Sequence, residues 1–152
     1  MTKECALRAS GMIAGAVPEI HLSTDQTQEV IDITAEVAKE AAGFQDDLCS
    51  LFLPHTTAAL AILTNEEGLA TDYIMAVKTL VPALEYVHDS ADHVKAHVLS
   101  SLVGPSVLVP VEGGRLQLGE FQRIVLVEFE GPRQRTIKVN PLPFARLELL
   151  PS

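Results

Sequence analysis

The sequence is poor in cysteine, in positive charge and in long apolar runs, and each shortage removes a class of protein. Cys5 and Cys49 are its two cysteines, too few for the disulfide framework of a small secreted domain. Buried or idle thiols in a reducing compartment are expected. Lys and Arg total 11 against 20 Asp and Glu, a formal net charge of -9. A nucleic-acid binder needs a basic face to meet phosphates, so nucleic acid is not an expected partner. Any phosphate ligand would need a local basic pocket working against the global field. No run approaches the roughly 18 apolar residues of a membrane span. The opening Met1-Thr2-Lys3-Glu4-Cys5 has no basic stretch followed by an apolar one, so no signal peptide is expected. The expectation is a soluble, cytoplasmic protein with no membrane partner.

What is present points to one folded domain over residues 1–152. Apolar residues make up 47% and charged residues 20% of the chain, which excludes intrinsic disorder. A chain of this length buries roughly two thirds of the surface its unfolded form exposes. Strand character is expected over residues 16–22 and, more weakly, over 5–9. Asp25 followed by Gln28 has capping-box spacing, and Val30, Ile33, Val37, Ala38 and Ala41 recur at helical period up to Gly43. That pattern predicts a first helix. Residues 48–53 and 58–63 read as buried strands. A second helix is expected over 67–80, ended by Pro82, and a third over 92–103, stopped by Gly104-Pro105. The last third holds short β-rich runs at 107–111, 115–118, 123–129 and 135–139, divided by Gly113-Gly114, Gly119 and Gly131-Pro132. Strands and helices segregate rather than alternate, so the expected class is α+β with largely antiparallel sheets and about three helices.

The chain has five histidines: His21, His55, His88, His93 and His97. His93 and His97 are four apart on the predicted third helix and share a face, with His88 in the loop before it. His93 and His97 could there contribute two imidazoles to one metal site, although chance clustering on an acidic helix is the simpler reading. His55 ends a predicted core strand, next to Thr56-Thr57, and a three-histidine site with an open position suits zinc or another borderline metal. His21, on an alternating strand, reads as structural. Asn65-Glu66-Glu67 is either helix N-terminal chemistry or a polar cluster able to bind an amide, a metal or a metal-bound water. The glycines of residues 113–119 fit a hairpin, which leaves Arg115 unexplained. Arginine forks pair with phosphate, but Arg115, Arg123, Arg133 and Arg135 could equally pair with Glu112, Glu128 or Glu130. No phosphate-binding loop, dinucleotide fingerprint, nucleophile elbow or paired-cysteine motif occurs.

Read in order, these pieces form a series. It runs through Pro54-His55-Thr56-Thr57-Ala58-Ala59-Leu60, Asn65-Glu66, Tyr86-Val87-His88, and Ala96-His97 into Leu102-Val103-Gly104-Pro105-Ser106-Val107. It continues with Pro110-Val111-Glu112, Gly114-Arg115-Leu116-Gln117-Leu118-Gly119, Gln122, Glu128-Phe129 and Gly131-Pro132-Arg133-Gln134-Arg135. From about Ile31 to Val139 the series resembles the YjbQ-like family, the secondary thiamine-phosphate synthases.

The resemblance implies an α+β sandwich assembling as a homotrimer. It implies a divalent metal, zinc first and magnesium where a diphosphate is bound, held by His55, His88 and His97. The family usually places a small or polar residue other than histidine at position 93, which marks His93 as incidental or as a support behind the ligands. Asn65 and Glu66 match the family's Asn-Glu pair and become pocket residues, with Glu66 steadying substrate or a metal-bound water. The implied activity joins a pyrimidine methyl diphosphate to a thiazole phosphate, giving thiamine phosphate and diphosphate. Such a substitution needs positive groups on the departing diphosphate. Arg115 and Arg133, with Thr56 and Thr57, are the candidates, and Asn65, Glu66 and Arg115 are the catalytic ones. Two departures stand out: Gly119-Glu120-Phe121-Gln122 where the family reads Gly-Thr-Trp-Gln, and a short loop between His88 and His97. The alternatives are a metal-assisted hydrolase of a small metabolite and a non-catalytic oligomeric protein that holds a metal or anion. Of the 11 basic residues, 6 lie between Lys95 and Lys138, so a small phosphorylated substrate stays compatible with the acidic whole.

Overall fold

Strict alternation along the C-terminal strands builds one sheet, and a strand buried on both faces builds the other. The computed structural model describes residues 17–45 and 47–143; the weak strand expected over residues 5–9 lies outside them. The elements follow as β1 (Glu19–Ser23), β2 (Glu29–Asp32), α1 (Thr34–Ala41), β3 (Asp47–Phe52), β4 (Ala58–Thr64), α2 (Leu69–Lys78), α3 (Ala91–Val103), β5 (Ser106–Glu112), β6 (Arg115–Leu116), β7 (Gln122–Glu128) and β8 (Gln134–Pro143). One sheet has the order β1-β8-β3-β5-β6 and the other β2-β7-β4. Every strand pairing among the described residues is antiparallel. The class is therefore α+β, as expected.

The layers follow from side-chain alternation. Cys49 and Leu51 of β3, Val109 and Val111 of β5, and Ile137 and Val139 of β8 point inward. They meet Ala58 and Leu60 of β4 and Ile124 and Leu126 of β7. The other face of the small sheet, through Ala59, Val125 and Val127, packs on Val77 of α2 and on Ala96 and Leu99 of α3. That is why β7 reads as a continuous apolar run: it is covered on both sides. Cys49 is fully buried in the inter-sheet core, and burial pushes its thiol up to about 11, so it is a packing residue. No helix among the described residues is long and apolar enough to cross a membrane.

The first helix is shorter than its sequence pattern suggests. Residues 29–32 form a strand paired with β7, Val30 opposite Val127 and Ile31 opposite Leu126. The ladder and the β-branched side chains win over helical spacing there. Asp25 and Gln28 start a turn instead, in which Glu29 Oε1 accepts the amides of Asp25 (2.6 Å) and Gln26 (3.0 Å). Asp32 Oδ1 takes the Thr34 amide at 2.9 Å, where the helix begins. Gly113 and Gly114 turn the β5–β6 hairpin with positive φ, 54° and 74°. A Cβ on Gly114 would lie 2.5 Å from the Ala42 carbonyl oxygen, so this hairpin is also pressed against the end of α1.

Candidate functional site

Three chain segments converge at the end of the sandwich where β3 passes into β4. The Pro54–Thr57 loop enters β4, the β7–β8 connection brings Glu130 to Arg135 beside it, and the first half of α3 lies alongside. Ser100 is buried and donates its hydroxyl to the Ala58 carbonyl at 2.6 Å. This bond fixes α3 against the start of β4. Gly104, at φ 108°, turns the chain out of α3, and its carbonyl accepts the Leu60 amide at 3.0 Å. Two open pockets of about 630 and 540 Å³ result, and both include Pro54, His55, Thr56 and His97.

Within this frame His93 and His97, one turn apart on α3, bring their Nε2 atoms to 3.0 Å. The His88 ring lies 5.5 and 5.8 Å from theirs, centre to centre. One ligand nitrogen from each of His88, His93 and His97 falls within 4.8 Å of the others. Nitrogen ligands of a tetrahedral zinc, each about 2.0–2.1 Å from it, stand roughly 3.3 Å from one another, so the group has the donors and nearly the spacing for such an ion. His93 Nδ1 hydrogen-bonds Glu130 Oε1. A carboxylate behind a histidine is the support that turns the far nitrogen toward a metal. Glu130 is itself held by Arg133, whose Nη2 donates to Oε2 at 3.0 Å and whose Nε donates to the Glu130 carbonyl at 2.9 Å. The hydrogen bond from His93, with Arg133 behind it, holds the Glu130 carboxyl below its ordinary value against partial desolvation.

His55 has a different environment from the one the resemblance implies. Its Nε2 accepts the backbone N–H of Thr136 at 3.0 Å, and it is not among the histidines whose ligand nitrogens lie within 4.8 Å of one another. Burial, and then the nearby Arg135 charge, lower its pKa, with Glu128 opposing. The expected trio is therefore redrawn: His88 and His97 come together, His55 is turned to β8, and His93 takes the third place. The i,i+4 spacing on a helix face had pointed to His93 directly. His21 sits at the outer strand, with Nδ1 3.1 Å from Thr136 Oγ1.

Beneath the pocket lies a buried ion pair. Arg135 donates from Nε and Nη2 to the two oxygens of Glu128, at 2.7 and 2.6 Å. The same Nη2 donates to Thr57 Oγ1 at 2.9 Å. Thr24 Oγ1 donates to Glu128 at 3.2 Å and accepts the Arg133 amide at 2.8 Å. Glu128 also takes the amides of Phe129 and Glu130, at 3.1 and 2.9 Å. Thr57 is thus buried in the wall, whereas Thr56 is exposed at the pocket. Glu128, Glu130 and Arg135 were not singled out as site residues by sequence motifs. Arg135 was findable, since it shares the inward register of Ile137 and Val139.

Asn65, Glu66 and Arg115 are not brought to the histidines within the chain. Asn65 and Glu66 follow the far end of β4, a strand of seven residues, hence roughly 20 Å from the His-Thr-Thr loop at 3.3 Å per residue. The Asn65 amide instead donates to the Phe121 carbonyl at 2.7 Å, which puts the Glu120-Phe121 departure at that same far end. Arg115 stands opposite Glu112 in the backbone register of the β5–β6 hairpin, a whole strand away from Pro105 and the pocket.

The family model described as UPF0047 protein YjbQ-like matches residues 18–143. The chain belongs to the YjbQ-like family. A UPF0047 protein of Archaeoglobus fulgidus is 43% identical over 126 residues, covering 82% of this chain and 99% of that one. A solved structure of an uncharacterized conserved protein of the yjbq/upf0047 family from Clostridium acetobutylicum superposes with a TM-score of 0.76. It is 32% identical and covers 83% of this chain and 100% of that chain. A hypothetical protein from Aeropyrum pernix K1 gives a TM-score of 0.76 at 33% identity, covering 84% and 98%. The YjbQ-like fold thus extends across the described sandwich, and these names carry no activity.

Proposed function

We propose that this YjbQ-like protein is a metal-dependent enzyme acting on a small phosphorylated metabolite, with a divalent ion held by His88, His93 and His97. The observation that carries the reading is the convergence of three imidazoles, the middle one oriented by Glu130. Imidazole donors favour zinc; magnesium, which prefers oxygen ligands, would arrive with a diphosphate. A bound ion would supply Lewis-acid stabilisation of charge developing on a phosphoryl oxygen or a departing diphosphate. Around it the chain's own residues would bind and orient substrate: the exposed Thr56 by its hydroxyl, and Arg133, half-exposed, by the part of its guanidinium not committed to Glu130. The family resemblance makes the pyrimidine methyl diphosphate and the thiazole phosphate the first substrate pair to test.

A homotrimer is part of this proposal. Phe52, Leu108 and Leu142 are exposed and fall on one outward register of the five-stranded sheet, apolar surface that a neighbouring copy would cover. Asn65, Glu66 and Arg115 lie too far from the histidines of their own chain, so any part they take in the chemistry would be played in a neighbour's pocket. Light scattering tests the assembly, and a monomer at micromolar concentration contradicts it.

The activity test incubates zinc-loaded protein with both substrates and follows thiamine phosphate. Turnover that survives His88→Ala, His93→Ala and His97→Ala, each in turn, sinks the metal reading. A second reading, a metal-assisted hydrolase, is favoured by one observation: both pocket arginines already face carboxylates. Phosphate or diphosphate release without the thiazole partner distinguishes it. Zinc bound at one per chain with neither reaction supports the non-catalytic alternative.

A further inference from the structure

We infer that His55 is neither a metal ligand nor a base but a neutral hydrogen-bond donor, presenting Nδ1–H to an anionic oxygen of the substrate. The inference rests on the phosphorylated-substrate reading for its target, and on hydrogen-bond logic for the donor itself. A backbone amide can only donate. The Thr136 N–H directed at His55 Nε2, 3.0 Å away, therefore requires a lone pair on Nε2, and the neutral ring must carry its proton on Nδ1. Nδ1 makes no hydrogen bond to another described residue and is not sealed from solvent, since no buried side-chain nitrogen or oxygen lacks a partner. The ring lines both pockets, with His97 in common. The Nδ1–H thus stands ready beside the histidine group without belonging to it.

The surroundings favour the same form. Protonating Nε2 would turn two donors toward each other, the imidazole N–H against the Thr136 amide. The Thr136 amide is itself fixed, because β8 is paired with β1 at Thr136 opposite His21, and Arg135 next to it is anchored on Glu128. A neutral imidazole held by a backbone group donates to a substrate oxygen without giving up a proton, an electrostatic role in which preorganised donors are most effective. His88, His93 and His97 would hold the ion while His55 addresses the oxygen.

Three measurements on the full, zinc-loaded chain test this. Long-range proton–nitrogen NMR of histidine-labelled protein, with His55 assigned through His55→Asn, should show the Nδ1–H neutral tautomer at pH 7. His55→Ala should retain zinc at wild-type stoichiometry, whereas His97→Ala should lose it. With inorganic diphosphate as the probe, calorimetry should show a roughly tenfold to hundredfold weaker affinity for His55→Ala, within the range of a hydrogen bond to a charged group. His55→Asn, whose amide N–H falls near the Nδ1 position, should stay within about threefold of wild type. An Nε2–H tautomer, zinc loss in His55→Ala, or equal losses in the Asn and Ala variants overturns the role of His55 alone. Absence of diphosphate binding by the wild type overturns the phosphorylated-substrate reading and removes the target of the donor.

Discussion

Glu128→Gln should be the most damaging conservative substitution in the wall of the pocket. Glu128 is 0% and Arg135 4% exposed, and their two contacts of 2.6 and 2.7 Å form a bidentate pair. Glutamine keeps the shape but removes the charge, leaving a buried guanidinium uncompensated, which costs about 3–5 kcal/mol. For a chain of this size each kcal/mol moves the melting temperature about 2–4 °C, so a fall of about 6–20 °C is expected. Removing both charges in Glu128→Leu/Arg135→Met should cost less than Glu128→Leu and Arg135→Met added together, because each single change strands its partner's buried charge and the double change strands none. What remains is the loss of partners for the Glu130 amide and the Thr57 hydroxyl, about 1–3 kcal/mol each at most. Urea unfolding followed by circular dichroism, at one fixed protein concentration, closes the double-mutant cycle. A cost under about 1 kcal/mol for Glu128→Gln, or a double variant as unstable as the two single losses added, refutes the reasoning.

Glu130→Gln should weaken zinc binding about 10–100-fold by releasing the His93 ring, read by chelator competition; unchanged affinity shows that the carboxylate does not orient a ligand. Stability should fall as pH drops through the ordinary histidine value near 6.5. His55 stays neutral in the fold while the unfolded chain takes up the proton, so the unfolded state binds more protons. The loss levels off below the folded pKa, and urea midpoints from pH 7.5 to 5.5 should flatten in His55→Asn. Gly131→Ala should destabilise by at least about 1–3 kcal/mol, because its Cβ would run into the Gln26 carbonyl and come within 2.8 Å of Thr24 Oγ1; an unchanged thermal midpoint contradicts that close packing.

Local periodicity made most of the fold legible. The spacing of α3 and its Gly104-Pro105 stop placed that helix within one residue of its observed start at Ala91. The strands of the last third were readable because each is bounded by glycine or proline and alternates or stays apolar. The segment at 25–33 misled because Val30 and Ile33, one in a strand and one beyond it, fall in step with Val37 and Ala41 by coincidence. Pairing with β7, about 95 residues later in the chain, decided the matter, and no local rule carries that information. The site divides the same way. His93 and His97 were paired by helix geometry alone, and family expectation then set His93 aside. Its partner Glu130 lies 37 residues away, and the Thr136 amide that occupies His55 lies 81 away. Asn65, Glu66 and Arg115 were grouped with the histidines by motif, and strand length separates them.

The pairing of the arginines changes how the charge of this protein bears on phosphate. Arg133 faces Glu130, and Arg135 faces Glu128, so the pocket gains little positive potential from either, within a chain whose formal charge is -9. A phosphorylated substrate then needs its cation from elsewhere, and the histidine group is the place in the pocket able to provide one by binding an ion. Diphosphate affinity should therefore depend on zinc. Chelated protein should bind diphosphate at least about tenfold more weakly than zinc-loaded protein, a coupling of about 1.4 kcal/mol. The two ligands must then help each other by the same factor, so saturating diphosphate should tighten zinc by that factor in a chelator competition corrected for zinc–diphosphate complexes in solution. His97→Ala should abolish the dependence on zinc while leaving the arginine pairs in place. Equal diphosphate affinity with and without zinc would mean that Arg133 leaves Glu130 to meet the anion, and the pocket would have to be understood as an arginine site rather than a metal one.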